Sequence, residues 1–408
     1  MIGGGPAGLF LAARAAALSP ALRDAGILLV EKMPKPGRKL LASGSGHCNI
    51  THQGAMGEFL GRYGDKGRFL KRALYAFGND ELAAWLGERG LDLEAEEGGK
   101  LFPSSRKASD VLDLLLRECS ARGVSMRTGV RATAIHREAG GFFSVELVGP
   151  EGEIATCLAP LLAIATGGAS YPGTGSTGDG YALAAALGHA IVRPRPALAP
   201  ARVDDAELCA LTGLSFADLG FALRRGGRII GRFRGDVLVT HEGLSGPGIL
   251  DASRVLEPGD TLELDFTGIG LDAYRARLAA RIADSPRALV RSLVAGLPRR
   301  LAELLCSRAG LGPEARCADL KREARESLAR LATEFPARVA ALGGFDVAMA
   351  TGGGVSLDEV APATMASRIV DGLYFAGEVL DYDGDTGGFN LQAAFSTADA
   401  AARAMAAR

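Results

Sequence analysis

Little in this chain points to a membrane, a metal or a disulfide framework. No uninterrupted apolar run reaches the ~18 residues that suggest a transmembrane helix, and no basic segment leads into an apolar core at the start, so no signal peptide is expected. The six cysteines, Cys48, Cys119, Cys157, Cys209, Cys306 and Cys317, include no C-x-x-C pair and no Cys/His cluster at ligand spacing. Reduced thiols, a cytoplasmic setting and no metal site are therefore expected. Aromatic residues are scarce at 6%, and a net charge of −1 gives no global pull toward nucleic acid or membrane. What the chain has in quantity is glycine, 56 residues within a 48% hydrophobic composition. That suits an alanine-rich α/β protein with many tight turns, long enough for two or three domains.

The most informative stretch opens the chain. In Gly3-Gly4-Gly5-Pro6-Ala7-Gly8, the residues Gly3, Gly5 and Gly8 stand at the spacing G-x-G-x-x-G. A helix is expected over 9–18, then a short strand over 27–30 that ends at Glu31. This order is the dinucleotide-binding fingerprint. The first glycine permits the tight turn, the second lets a pyrophosphate approach the backbone, and the third lets helix and strand pack closely. Free N–H groups and the dipole favour phosphate at the helix start, and Glu31 is placed to accept from a ribose hydroxyl. Only Met1 and Ile2 precede the glycines, where a strand of about 5–6 residues is usual. A natural start upstream, or a misassigned one, is expected.

A basic, glycine-rich loop follows Glu31 and Lys32. It carries Arg38, Lys39, Leu40, Ser43, Gly44, Cys48 and Asn49, and its N–H groups form a candidate anion nest. Ser109 or Asp110 is expected to cap a helix over 111–121. Stretches 124–128, 130–137 and 142–147 read as strands, with Val130 against an adenine. A buried strand from Leu161 ends at Thr166-Gly167-Gly168. Beyond it, Gly173, Gly175 and Gly178 repeat the fingerprint spacing, but too far from the strand end for a second nucleotide site. A loop lining the cofactor or substrate cleft is expected instead, with Tyr171 and Asp179 as candidate reactive side chains.

Residues 191–270 change character. Stretches 219–223 and 228–233 read as a hairpin across Arg225-Gly226-Gly227, and 237–240 and 261–266 add strands. The loop Thr240-His241-Glu242-Gly243-Leu244-Ser245-Gly246-Pro247 lies between them. Residues 271–340 read as helical and hold 14 Lys and Arg against 8 Asp and Glu, net +6. A solvated helical face is expected, with a docking surface for an acidic partner as the alternative. A strand over 345–350 leads into a loop Thr351-Gly352-Gly353-Gly354-Val355, and a further strand ends at Gly377-Glu378. Asp381, Asp383 and Asp385 alternate as in a calcium loop, but the twelfth position is Gln392 and no helix precedes, so no calcium site is expected. Gly387-Gly388-Phe389-Asn390-Leu391-Gln392 opens a closing alanine-rich helix.

Taken together, the fingerprint, 37–51, 165–180, 240–247 and 350–397 resemble the bacterial BaiN-like flavoproteins, also labelled the aminoacetone-oxidase-type FAD-binding family. These are distant relatives of the fumarate reductase flavoproteins. The likeness covers nearly the whole chain. It implies an α/β fold: a Rossmann-like FAD-binding domain of the glutathione-reductase-type superfamily, split by an inserted β-barrel plus helical domain. The boundaries expected are 1–190 and 346–408 for the FAD domain, 191–270 and 331–345 for the barrel, and 271–330 for the helices. The cofactor implied is FAD. Residues implied to hold it are Gly3, Gly5, Pro6, Ala7, Gly8, Glu31, Lys32, Arg38, Lys39, Leu40, Ser43, Gly44, Asn49, Val130, Thr166, Gly167, Gly377, Glu378, Gly388, Phe389, Asn390 and Leu391. Glu31 would take the adenosine ribose, Glu378 the ribitol, and the helix after Gly388 the flavin C2 carbonyl, whose charge on reduction a helix N-terminus stabilises. His47 departs from the family pattern, where Arg is usual, and a histidine there can titrate near neutral pH.

The activity expected is hydride transfer between flavin N5 and a small organic substrate. His241 is the expected proton donor or acceptor, and NAD(P)H the transient electron donor. Two alternatives stand beside this reading. One is an amine-type oxidase using oxygen. The other is a non-catalytic flavin-containing binding protein that meets a partner through the basic helical stretch. Neither membrane nor nucleic-acid binding is expected otherwise.

Overall fold

Ile2 is the hub of a parallel sheet. It pairs with Val30 on one side and Ile164 on the other, and its N–H donates to Ala163 O at 2.9 Å. Outward from it lie Leu28–Glu31 beside Ser125–Thr128, and Leu162–Ile164 beside Leu373–Phe375, each pair parallel. The strand expected ahead of the fingerprint is thus two residues long here, yet both its edges are used. The computed structural model describes the 408 residues except Glu97 and Ala295.

The chain divides into two units. Residues 1–197 with 345–408 form the first, and 198–344 the second. In the first, helices Pro6–Leu18 and Phe389–Ala406 pack together. Both are alanine-rich, so little side-chain volume separates their backbones. Gly377 is wedged beside them, where a Cβ would stand 2.8 Å from that of Ala7. The core includes Phe10, Phe77, Trp85 and Phe395, with Phe10 at ring distances of 5.3, 4.8 and 5.1 Å from the other three.

Several local expectations change. The helix read over 111–121 runs from Ala108 to Ala121 behind Lys107, with no side-chain cap, so neither Ser109 nor Asp110 caps it. The strand expected over 345–350 is instead Ala350–Val355. Its glycines are strand residues rather than a loop, and at Gly353 and Gly354 neighbouring backbone leaves no room for a side chain. A Cβ on Gly353 would lie 2.5 Å from Arg193 O, and one on Gly354 2.6 Å from Val379 O. This strand pairs antiparallel with Ile191–Ala197, so 191–197 belongs to the first unit and not to a barrel. A three-stranded antiparallel sheet, Arg131–Arg137, Phe143–Val148 and Ile154–Ala159, contains one strand with no sequence expectation, the exposed third.

The second unit is a closed barrel in the order Ala201–Val203, Gly243–Ser245, Arg228–Val239, Ser215–Arg225, Thr261–Asp265 and Phe335–Leu342. Helices Leu271–Asp284, Val290–Leu293, Arg299–Arg308 and Arg322–Thr333 lie between its last two strands in sequence. Among the described residues, no helix is long and apolar enough to cross a membrane.

Candidate functional site: a dinucleotide cleft in the first unit

The fingerprint helix begins at Pro6 behind Gly5, which has extended backbone and offers no side-chain cap. Its first N–H groups therefore point out of the helix start without a side-chain acceptor. A Cβ on Gly8 would come within 1.9 Å of Gly3 O, which is the close helix–strand contact the spacing implies. A Cβ on Gly5 would meet nothing within 4 Å. That open space leaves room for a phosphate at the turn, as the fingerprint spacing requires.

Glu31 ends its strand beside this turn. Its carboxylate accepts from Gly4 N and from Met33 N, both at 2.7 Å, leaving further lone pairs for a ribose hydroxyl. Glu31, Val130 and Thr166 line one narrow cleft of about 40 Å³ with Ile2, Gly3, Gly175 and Asp179. Thr166 Oγ1 is buried without a hydrogen-bond partner, a polar atom in want of one at the expected place. The cleft is far smaller than the ~300 Å³ of an ordinary ligand pocket. The loop carrying the second glycine triplet closes it. Lys32 Nζ lies 2.8 Å from Asp179 Oδ2 and also bonds Thr177, and Arg131 Nε lies 3.3 Å from the same oxygen of Asp179. Burial raises the Asp179 pKa, but the Lys32 and Thr177 hydrogen bonds outweigh it and hold the carboxyl below its ordinary range. That loop makes a short Pro172–Thr174 turn and then helix Asp179–Ala186.

A second polar cluster surrounds Glu378. Lys39 Nζ donates to both of its oxygens, at 3.1 and 2.8 Å, and to Ser170 Oγ at 2.6 Å. Thr351 N donates to Glu378 Oε1 at 2.8 Å, and Thr351 Oγ1 accepts from Ala169 N and Ser170 N. Ser170 and Thr351 were not expected as site residues. Ser170 lies in the loop beyond strand Leu162–Ile164, a sign available in the sequence, whereas Thr351 is the second residue of strand Ala350–Val355 and carried no such sign. The neighbouring hydroxyls of Tyr181 and Tyr382 are buried without hydrogen-bond partners. Burial, then nearby carboxylates including Glu378, push the Tyr181 pKa well up.

The other expected residues fall into three groups. Asn49 ties the loop to the start of the closing helix: its amide nitrogen donates to Thr51 O at 3.0 Å and its oxygen accepts from Gly388 N at 3.3 Å. Gly388 caps that helix with no side-chain cap, so its first N–H groups are also unclaimed by side chains, while Leu391 is half-buried. Gly377 N donates to Thr397 Oγ1 at 3.0 Å. A Cβ on Gly167 would stand 3.5 Å from Ser176 Oγ. Other side chains serve the fold. Leu40 is buried in the core. Phe389 stacks on His52 at 5.1 Å, and Asn390 clamps Gly384 with two bonds of 2.8 Å. Ser43 Oγ donates to Leu40 O at 2.6 Å. Arg38 and Gly44 are exposed, as is His47, whose Nδ1 lies 2.8 Å from Arg106 O. His241 lies in the second unit, exposed between strands Arg228–Val239 and Gly243–Ser245.

The alternating acids each face a base. Asp381 lies 3.0 Å from Lys66, Asp383 3.7 Å from Arg195 and Asp385 3.5 Å from Arg62. Among the described residues no group of three or more His, Cys, Asp or Glu could hold a metal.

Residues 1–404 match the family model described as "HI0933-like protein Rossmann domain". The chain is 31% identical to a 3-dehydro-bile acid delta(4,6)-reductase of Clostridium scindens, over 100% of this chain and 98% of that one. It is also 31% identical to a ribosomal RNA dihydrouridine synthase of Escherichia coli K12, over 100% and 97%. Among solved structures, a variant of E. coli quinol fumarate reductase FrdA aligns at a TM-score of 0.50 and 15% identity, covering 100% of this chain and 69% of that one; this is a likeness of fold. The chain therefore belongs to the HI0933-like family, with the Rossmann-like FAD-binding fold of flavoprotein oxidoreductases.

Proposed function

We propose that the chain is an FAD-dependent reductase of carbon–carbon double bonds conjugated to a carbonyl, fed by NAD(P)H and working in the cytoplasm. One pairing supports this. The open backbone at Gly5 beside Glu31 belongs to a chain matched end to end by two relatives whose named substrates share a bond type. In a 3-oxo steroid with Δ4,6 unsaturation, and in the C5=C6 bond of uridine, the alkene is conjugated to a carbonyl. Hydride adds to the carbon remote from that carbonyl, negative charge develops on the oxygen, and a proton completes the reduction. The finer architecture, a glutathione-reductase-type FAD domain interrupted by a barrel and helices, is part of the same reading.

When bound, FAD supplies the hydride chemistry. The chain's own residues do the rest. The fingerprint turn from Gly3 to Gly8 would hold the pyrophosphate, Glu31 the adenosine ribose and Glu378 the ribitol. The uncapped start of helix Phe389–Ala406 would offer positive potential to the negative charge of a reduced flavin. Lys39 neutralises Glu378 and fixes its orientation. His241 is the proposed proton donor to the substrate.

The test is an anaerobic NADPH titration of the purified protein, repeated with NADH, followed by an enone or a uridine oligonucleotide. Bleaching of the flavin spectrum by a nicotinamide, and its return on adding the conjugated acceptor but not an isolated alkene, is the expected result. A flavin that stays oxidised with both nucleotides yet is reduced by an amine would overturn it in favour of an oxidase. His241→Gln should slow turnover and leave FAD bound.

A further inference from the structure

Helices Leu271–Asp284 and Arg322–Thr333 pack side by side in the second unit and leave an open cavity of about 340 Å³ between them. Ala329 is buried at its floor, and Arg275, Arg322, Arg325 and Glu326 line it. The charges do not balance within it. Glu326 is already satisfied: Arg275 grips it in a two-bond fork, with Nε to Oε2 at 2.9 Å, and Arg330 Nε donates to Oε1 at 2.9 Å. Arg275 is further tied to Asp272 at 2.8 Å. Arg322 and Arg325 have no side-chain partner among the described residues; Arg322 is exposed and Arg325 half-buried.

Their position makes this costlier. Lys321, Arg322 and Arg325 occupy the start of helix Arg322–Thr333, whose first turn has no side-chain cap and a single acid, the exposed Glu323. Cations are disfavoured at that end of a helix dipole, and a guanidinium partly removed from water without a counter-charge is disfavoured again. Both costs are offset if an anion sits in the cavity.

We infer that this cavity is a phosphate site, in which Arg322 and Arg325 fork onto the oxygens of a phosphate carried by a ligand of the second unit. A carboxylate suits less well. Its two oxygens are filled by one fork and one further bond, as Arg275 and Arg330 show at Glu326 on the same wall. Two free guanidiniums present ten N–H donors, and a phosphate offers the three or four oxygens that two forks can share. The volume admits a phosphate together with part of its carrier. The carrier is either a small phosphorylated molecule or the phosphodiester backbone of a strand, and the recognition chemistry is the same. The inference is independent of FAD binding in the first unit.

The experiment is phenylglyoxal labelling of the full chain, read at each arginine by peptide mass spectrometry. The probes are inorganic phosphate and a single-stranded hexauridylate, each against chloride at matched ionic strength. Exposed Arg277 on the same helix as Arg275 is the internal reference. At ten times its Kd, a bound probe should slow labelling of Arg322 and Arg325 about tenfold, with Arg277 unchanged. Protection by phosphate itself supports the site and a compact ligand. Protection by hexauridylate alone supports the site and a strand. Equal labelling of all three arginines under both probes would overturn the inference. So would equilibrium dialysis showing that the Arg322→Gln, Arg325→Gln double variant binds the protecting probe as tightly as the parent.

Discussion

The ammonium of Lys39 stands 2.8 Å from Oε2 and 3.1 Å from Oε1 of Glu378, 339 positions later in the chain. The pair joins the short helix Arg38–Ala42, after strand Leu28–Glu31, to the turn Gly377–Val379 ahead of the closing helix. It is half-buried, at 25% and 20% side-chain exposure, so it is neither fully screened nor fully desolvated. Lys39→Met removes the cation and leaves Glu378 with Ser170 and Thr351 N. A hydrogen bond to a charged group is worth about 1.5–3 kcal/mol, so FAD affinity, read by flavin fluorescence, should fall about tenfold to a hundredfold. Lys39→Arg should retain most of it. Unchanged affinity in Lys39→Met would separate this pair from the cofactor site.

Two fingerprint glycines make opposite demands. A Cβ on Gly8 would stand 1.9 Å from Gly3 O, whereas one on Gly5 would touch nothing. Gly8→Ala should therefore destabilise the protein with or without FAD. Gly5→Ala should leave the flavin-free protein as stable or up to about 1 kcal/mol more stable, because the unfolded chain loses freedom, while FAD binding weakens. Thermal melts of both variants with and without added FAD read the two effects apart.

The loop closing the cleft beside Glu31 is pinned by Lys32 to Asp179 at 2.8 Å. With only about 40 Å³ inside, entry of a nucleotide requires that loop to move. Asp179→Asn weakens the pin without changing the side chain's size. Stopped-flow fluorescence should show FAD entering and leaving faster than in the parent, with entry rising by several-fold if about 1 kcal/mol of ion pair is lost on opening. Identical rates would mean that the loop does not gate the cleft.

The sequence made some of this legible and some not, for physical reasons. Gly3, Gly5 and Gly8 were readable because steric need at a tight turn leaves few residue choices. The barrel hairpin was readable from Arg225-Gly226-Gly227, since turn chemistry is local. Lys39 with Glu378 was not readable as an ion pair, because no spacing rule joins residues so far apart. Gly352 to Gly354 misled for the opposite reason. Glycine marks turns by its own freedom, but in strand Ala350–Val355 Gly353 and Gly354 give space to the backbones of Arg193 and Val379, and Gly352 to the side chains of Asp383 and Arg195. The exposed strand Ile154–Ala159 carries its apolar residues outward, so no buried-face alternation announced it.

In the barrel, Arg225 grips Asp260 through two bonds of 2.9 Å, and Asp260 is 2% exposed. The Arg225 hydrogen bonds are the main reason its carboxyl lies below the ordinary value of 3.8, against the opposing pull of burial. A depressed native pKa means stability that is complete above the unfolded value of about 3.9 and lost as pH falls through the native one. The melting temperature should therefore be lower in Asp260→Asn than in the parent at pH 6. The gap should hold down to about pH 4–5 and close on further acidification. Far-UV circular dichroism melts across pH 6 to 2.5 read it; a gap that widens in acid would contradict the assignment.

The closing helix is bolted to the fingerprint helix by Asp399, which is 0% exposed and lies 2.7 Å from Arg14 and 2.5 Å from Arg403. Arg14, at 17% exposure, also lies over the rings of Phe10 and Phe77 at 5.9 and 5.6 Å. Removing one partner strands the other. Asp399→Ala should cost about 3–5 kcal/mol, because Arg14 keeps its charge in an apolar setting. Replacing both members, Arg14→Leu with Asp399→Leu, should cost much less, since a buried pair of this kind gains little over apolar packing. The readout is specific to this unit. The chain has a single tryptophan, Trp85, packed edge-on against Phe10 at 4.8 Å, so its fluorescence during urea denaturation follows the first unit alone. If Asp399→Ala and the double leucine variant unfold at the same urea concentration, the loss is one of packing and the ion pair is not what joins the two helices.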